Sequence, residues 1–150
     1  MSVNFSGIVP TNYPVNSRFV LDANYVQTFA LPGAAGTVHS TGFNLIQPTP
    51  FPVTETINFQ VLIPATTTTM VPDASTLTVT IEDSADGVTY AAIPQLAAYT
   101  LTGAGGAGTA ATTITEKLPP STRQYVRVTI VGSASTTSMA ALNATQQLVF

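Results

Sequence analysis

The chain has 150 residues, enough for one domain with a sizeable core and no covalent staples. Charged residues make up 7%, against roughly 25% in an ordinary soluble domain, and four basic residues with a net charge of −3 leave nothing to neutralise a row of phosphates, which excludes a nucleic-acid partner. There is no cysteine, so no disulfide frame, thiolate nucleophile or Cys-ligated zinc; mean hydropathy is +0.32, yet no apolar run approaches the roughly 20 residues of a membrane helix, and no membrane partner is expected.

The opening "MSVNFSGIVP" lacks a basic segment followed by an apolar one, so a cleaved secretion signal is not expected and synthesis in the cytoplasm is. Residues 1–35 alternate weakly, are interrupted by Pro10, Pro14 and Pro32, and scatter the aromatics Phe5, Tyr13, Phe19, Tyr25 and Phe29. Two readings fit them: an extended N-terminal arm that orders on a neighbour, or an extended segment packed on its own domain.

From residue 36 onward period-two alternation dominates. In "TINFQVLI" (56–63), Ile57, Phe59, Val61 and Ile63 share one face; in "TLTVTI" (76–81), Leu77, Val79 and Ile81 oppose three threonines; in "QYVRVTIV" (124–131), Val126, Val128 and Ile130 oppose Tyr125, Arg127, Thr129 and Val131. Each reads as a strand with one buried and one wet face. Turn signals separate them: "QPTPFP" at 47–52, "VPD" at 71–73, "DG" at 86–87, "GAGGAG" at 103–108 and "LPPST" at 118–122. "SMAALNATQQL" (138–148) has helix formers, but without charges or caps it reads as a strand. The pattern predicts an all-β domain over 36–150, an antiparallel β-sandwich of roughly seven to nine strands with almost no helix, its core holding Phe59, Val61, Leu77, Val79, Ile81, Val126, Val128 and Ile130.

The densest chemistry is "TVTIEDSADGVTYAAI" (78–93), with Glu82, Asp83 and Asp86 ahead of Gly87. An EF-hand-type loop counted from Glu82 puts Gly87 sixth, but Ser84 is third, Asp86 fifth, and Ile93 stands where the bidentate Glu belongs. The flanks are strands, so no tight metal site is expected. A glycosidase pair needs two carboxyls across a cleft, about 5 to 9 Å apart, one with a raised pKa; acids on an exposed turn stay solvated and near their ordinary values. The hairpin reading uses what is present, with Asp86-Gly87 tolerating positive φ and the Asp and Ser side chains bonding loop N–H groups.

His39 is the single histidine. It cannot make an ordinary zinc site alone, and as a general base it would require a Ser nucleophile and an acid in space, so it reads as a sheet-face residue. "GAGGAG" has no following Lys or helix and reads as a flexible tip, not a phosphate cradle. In "LPPSTRQYVRVTIV" a Pro-rich corner leads into a strand whose Tyr125 is placed to bond back to the preceding loop, as in a tyrosine corner. Arg123 and Arg127, four apart, read as projecting from one sheet face and available to pair with Glu82, Asp83 or Glu116. No catalytic, cofactor-binding or metal-binding residue is assigned, and no cofactor.

Together, the "EDSADGVTY" hairpin, the Gly-rich excursion, the "LPPSTRQYVRV" corner and the closing "AALNATQQLVF" resemble tailed-bacteriophage capsid cement (decoration) proteins, over about residues 36–150. The resemblance implies a small jelly-roll-like sandwich that binds the outer face of a shell of major capsid protein as a homodimer or homotrimer and stabilises it. It also implies a virion location on the outer capsid surface, and it brings no catalytic residues. The alternative is a carbohydrate- or receptor-binding sandwich of a phage tail or fibre, for which Tyr90, Tyr99 and Tyr125 are the aromatics at hand. A hydrolase built on His39 ranks third.

Overall fold

In the computed structural model, the residues described are 21–45, 58–133 and 136–149, without the side chains of 21–24. Among them there is no helix. Ten strands form two antiparallel sheets: β1 (Leu21–Ala30), β2 (Gly36–His39), β3 (Phe43–Asn44), β4 (Asn58–Ile63), β5 (Thr76–Ser84), β6 (Ala91–Ala92), β7 (Tyr99–Thr102), β8 (Thr112–Lys117), β9 (Tyr125–Gly132) and β10 (Asn143–Val149). One sheet has the order β1-β10-β4-β8; the other runs β2-β9-β5-β6, with β3 also on β9 and β7 also on β5.

The strand count exceeds the expected seven to nine because two strands are broken. β2 and β3 both pair with β9, and β6 and β7 both pair with β5. Joined, they leave eight strands in the orders 1-8-3-6 and 2-7-4-5, the two interleaved Greek keys of a jelly roll. The alternation predicted this core: Phe59, Val61, Leu77, Val79, Ile81, Val126, Val128 and Ile130 are all buried, joined by Leu31, Ile93, Ile114, Leu118, Met139 and Leu148. Thr56, Ile57 and the "QPTPFP" turn lie outside the described residues.

Of the two readings of residues 1–35, the packed one describes 21–31. β1 pairs with β10 from Val26↔Gln147 to Ala30↔Asn143, and Leu31 is in the core. Residues 1–20 lie outside the described residues. In "SMAALNATQQL" the strand begins at Asn143, after a turn closed by Leu142 N–H to the Met139 carbonyl.

The break between β2 and β3 is a bulge: His39 pairs with Thr129 and Phe43 with Val126, so residues 40–42 face two residues of β9. An extra residue orphans backbone groups inside the sandwich, and the Gln146 and Ser40 side chains satisfy them. The Gln146 side chain, fully buried, accepts the Ser40 hydroxyl (2.7 Å) and donates to the Thr41 carbonyl (2.7 Å) and Gln27 Oε1 (2.7 Å). Ser40 Oγ in turn accepts the Val128 N–H at 2.8 Å, standing in for the missing ladder carbonyl. One amide of β10 thus joins the two sheets through the core.

The loops β1–β2 (31–35), β4–β5 (64–75), β7–β8 (103–111) and, as far as it is described, β9–β10 (133 and 136–142) meet at one end and bond to one another. Met139 N–H donates to Pro32, Thr137 N–H to Met70, Thr66 N–H to Thr109 and Ala74 N–H to Gly103, each to the carbonyl. The "GAGGAG" tip is therefore pinned rather than flexible: Asp73 accepts the Gly106 N–H at 2.9 Å, and Gly108 (φ 81) lies so close to the Thr66 carbonyl that a Cβ would sit 2.6 Å from its oxygen. Ala74 pays for this interlock, holding φ 66, a left-handed conformation rare outside glycine.

Two outcomes follow. Replacing Gln146 by Leu should leave the Thr41 carbonyl and Gln27 amide unpaired and destabilise the fold by about 2–4 kcal/mol in urea unfolding. Ala74→Gly should relieve the left-handed conformation and, after the glycine's larger unfolded-state entropy, raise stability by about 0.5–1 kcal/mol.

Candidate functional site: the charged end of the sandwich

Chemistry-bearing side chains gather at the end opposite those loops, around the β5–β6 hairpin and the β8–β9 corner. Glu82, Asp83, Asp86, Glu116, Lys117, Arg123 and Arg127 all belong to it, although the whole chain has only four basic and seven acidic residues.

The three acids of 82–86 do not act together. Successive strand residues face opposite sides, so Glu82 points to the outer face and Asp83 to the inner. Glu82 sits opposite Arg127 on β9 and accepts its Nε–H at 2.8 Å. Arg127 is capped by Tyr90, with its guanidinium carbon 3.9 Å from the ring centroid, a cation–π stack. The Tyr90 hydroxyl fits where Gly42 lacks a side chain, since a Cβ there would collide with it. Burial pushes the Tyr90 phenol above its ordinary pKa, against the pull of the Arg127 charge.

Asp83 is buried, contrary to the expectation of a solvated acid, because β5 continues to Ser84 before the turn begins. Its Oδ2 accepts the Arg123 backbone N–H (2.9 Å) and its Oδ1 the Arg123 Nε–H (2.7 Å) and Nη2–H, while its carbonyl takes Nη2–H as well (2.8 Å). Arg123 lies in the corner before β9, so the two arginines do not share a face: Arg127 crosses the outer face and Arg123 wraps the sheet end. Glu116 stands opposite Phe59 in the other sheet and pairs with neither arginine.

Asp86 holds the turn. Its Oδ1 accepts N–H bonds from Val88 (2.9 Å) and Thr89 (2.8 Å) and the Ser84 hydroxyl (2.8 Å), while Ser84 Oγ accepts the N–H of Gly87 (3.0 Å). These donors, the Thr89 and Val88 amides first, lower its pKa to about 2, correcting the near-ordinary value expected of an exposed turn. The hairpin reading stands, with Gly87 at φ 73. No group of three or more potential metal ligands occurs among the described residues.

Tyr125 is not a tyrosine corner: its ring packs on Gly87 and its hydroxyl has no bond among the described residues. Tyr99 faces inward against the core, opposite Val79, so Tyr90 and Tyr125 are the tyrosines of the outer face. His39 bonds Thr129 Oγ1 through Nδ1 at 2.8 Å on that outer face, whereas the neighbouring Ser40 points inward to Gln146. Among the described residues, Thr129 is the hydrogen-bond partner of His39, and neither a Ser nor an acid bonds to it. In the corner loop, Thr122 Oγ1 is buried without a hydrogen-bond partner.

No family model and no curated protein matches the chain. Among solved structures it is similar to the PBSX exported protein XepA, with a TM-score of 0.45 and 16% identity over 91% of this chain; the chain spans 39% of that one.

Asp86 carries the pH dependence of this end. Its carboxylate form is the one the fold holds, so its stabilising effect is complete above the ordinary carboxyl range, near pH 4, and fades as pH falls towards about 2. The gap in melting temperature between the wild type and Asp86→Ala should accordingly be constant above pH 5 and narrow steadily from pH 4 to pH 2.

Proposed function

We propose that the chain is a structural virion protein that decorates the outer surface of a phage capsid, binding the major capsid protein as a homodimer or homotrimer and stabilising the shell. The observation that carries this reading is the segregation of charge. The four loops that meet at one end contain a single charged residue, Asp73, and that carboxylate is occupied by Gly106. The remainder is mostly Thr, Ala, Ser, Gly and Pro with a few apolar residues such as Met70 and Met139, cross-bonded before any partner arrives. A preorganised surface gives up little conformational entropy on docking, and an uncharged one is desolvated cheaply. Such an end suits close, nonionic packing on another protein, and several copies in one oligomer would dock at high effective concentration. The resemblance to cement proteins supplies the shell as the partner. No reaction is assigned.

One observation favours the carbohydrate-binding alternative: Tyr90 and Tyr125 share the outer face of the second sheet with His39. Tyr90, however, is committed to Arg127 and Gly42, and Tyr125 to Gly87.

The test is to mix purified protein with undecorated heads, sediment them and melt the product. Decoration should be seen at micromolar protein, raise the melting temperature of the shell, and change little with salt. Thr68→Asp combined with Ala140→Asp, both on exposed loop positions, should weaken binding at least about tenfold, whereas Val88→Asp at the opposite end should not. Wild-type protein that stays in the supernatant would overturn the reading and move sugar binding to first place.

A further inference from the structure

The two arginines of the charged end differ in what they leave free. Arg127 is closed, held between Glu82 and Tyr90. Arg123 is open: its side chain is 36% exposed, against 6% for its partner Asp83. Every donor on one edge of its guanidinium is spent, Nε and Nη2 on Asp83 Oδ1 and Nη2 again on the Asp83 carbonyl. Nη1, with two N–H donors, bonds to nothing among the described residues.

Arg123 also lines a pocket of about 310 Å³ between β6 and the corner loop, together with Ala91, Ala92, Pro94, Gln95, Ser121 and Asp83. Ser121 and Gln95 have unused side-chain donors there, and neither makes a hydrogen bond among the described residues. The acceptors of Asp83 are turned away, since both its oxygens are occupied by Arg123. The polar groups on offer are therefore mostly donors, one of them cationic, beside walls of Ala and Pro that let a ligand approach closely. The guanidinium is also held rigid by a buried carboxylate, so little side-chain entropy is lost on binding. Arg123 is the one charged lining group with donors left, and the Gln95 amide and Ser121 hydroxyl, each both donor and acceptor, can turn an N–H and an O–H toward an anionic oxygen such as that of a carboxylate.

We propose that this pocket is a binding site for a single carboxylate group, gripped by Arg123 Nη1 with Ser121 and Gln95. The volume admits one acidic side chain or one acidic sugar, which share this chemistry. The site lies at the end of the sandwich opposite the uncharged loops, and it is tested on the isolated protein, so its outcome is independent of shell binding.

The experiment follows the side-chain N–H signals of Arg123 and Gln95 by NMR during titration with N-acetylglutamate and with glucuronate, using acetamide and glucuronate methyl ester as neutral controls. The expected result is saturable shifts at both residues with half-saturation at about 1–10 mM, the range of one charged contact on a small ligand, and no saturation with the controls. Ser121→Ala and Gln95→Ala, which leave the Asp83–Arg123 pair intact, should weaken binding several-fold at unchanged melting temperature. Saturation by N-acetylglutamate alone supports an acidic side chain as the natural ligand, by glucuronate alone an acidic sugar, and by both a site that reads the carboxylate itself. No saturable shift with either acid, or equal shifts with the neutral controls, would overturn the proposal.

Discussion

The side-chain amide of Gln146 is the point on which the arrangement turns. A jelly roll buries apolar side chains from two sheets, and apolar contact alone is indifferent to small slips between them. A buried amide is not indifferent, because each unmet donor or acceptor costs about 1–3 kcal/mol. Gln146 has its oxygen on Ser40 and its nitrogen on Thr41 and Gln27, so one register of the two sheets satisfies it. The same bonds stabilise the bulge at 40–42. The bulge places Gly42 beneath the Tyr90 hydroxyl, and Tyr90 in turn covers the Arg127–Glu82 pair. A polar contact in the core thus reaches the outer surface through a chain of steric fits.

The two ends of the sandwich are built by opposite means. At one, loops with Asp73 as their single charge are tied by backbone hydrogen bonds and by glycines that admit close approach, at the expense of a left-handed Ala74. At the other, charged side chains do the tying: Asp86 gathers the hairpin amides, and Asp83 fixes Arg123. Exposed ion pairs contribute little to stability. Asp83 differs because it is desolvated and fully bonded, so its effect is positional: it decides which edge of the Arg123 guanidinium faces solvent. Among the described residues, every charged side chain but Asp73 lies at one end, and the other relies on shape and hydrogen bonding.

Much of the core was legible in the chain. Strong period-two alternation at 76–81 and 124–131 needs no tertiary information, because the pleat alone sends Val79 and Val128 to one side. The Asp86-Gly87 turn was legible for the same reason, being a local matter of φ and side-chain capping. Gln146 was not, since a glutamine between Thr145 and Gln147 looks like any wet-face residue. Its inward direction follows from Ala144 and Leu148, and its partners lie more than a hundred residues away. Arg123 and Arg127 illustrate the same limit: spacing by four implies one face only if both are on the strand, and β9 begins after Arg123.

By itself, then, the sequence determined the all-β class, the inner faces of its strongest strands, the hairpin at 82–87 and the charge poverty that marks the molecule. These depend on backbone geometry and on composition, which act over a few residues or over the chain as a whole. The tertiary structure alone decided the jelly-roll order, the pinning of the Gly-rich tip, the burial of Asp83 and the division of the surface into a charged and an uncharged end. Each of those depends on which distant segments become neighbours, and only there do the buried amide of Gln146 and the buried carboxylate of Asp83 find their partners.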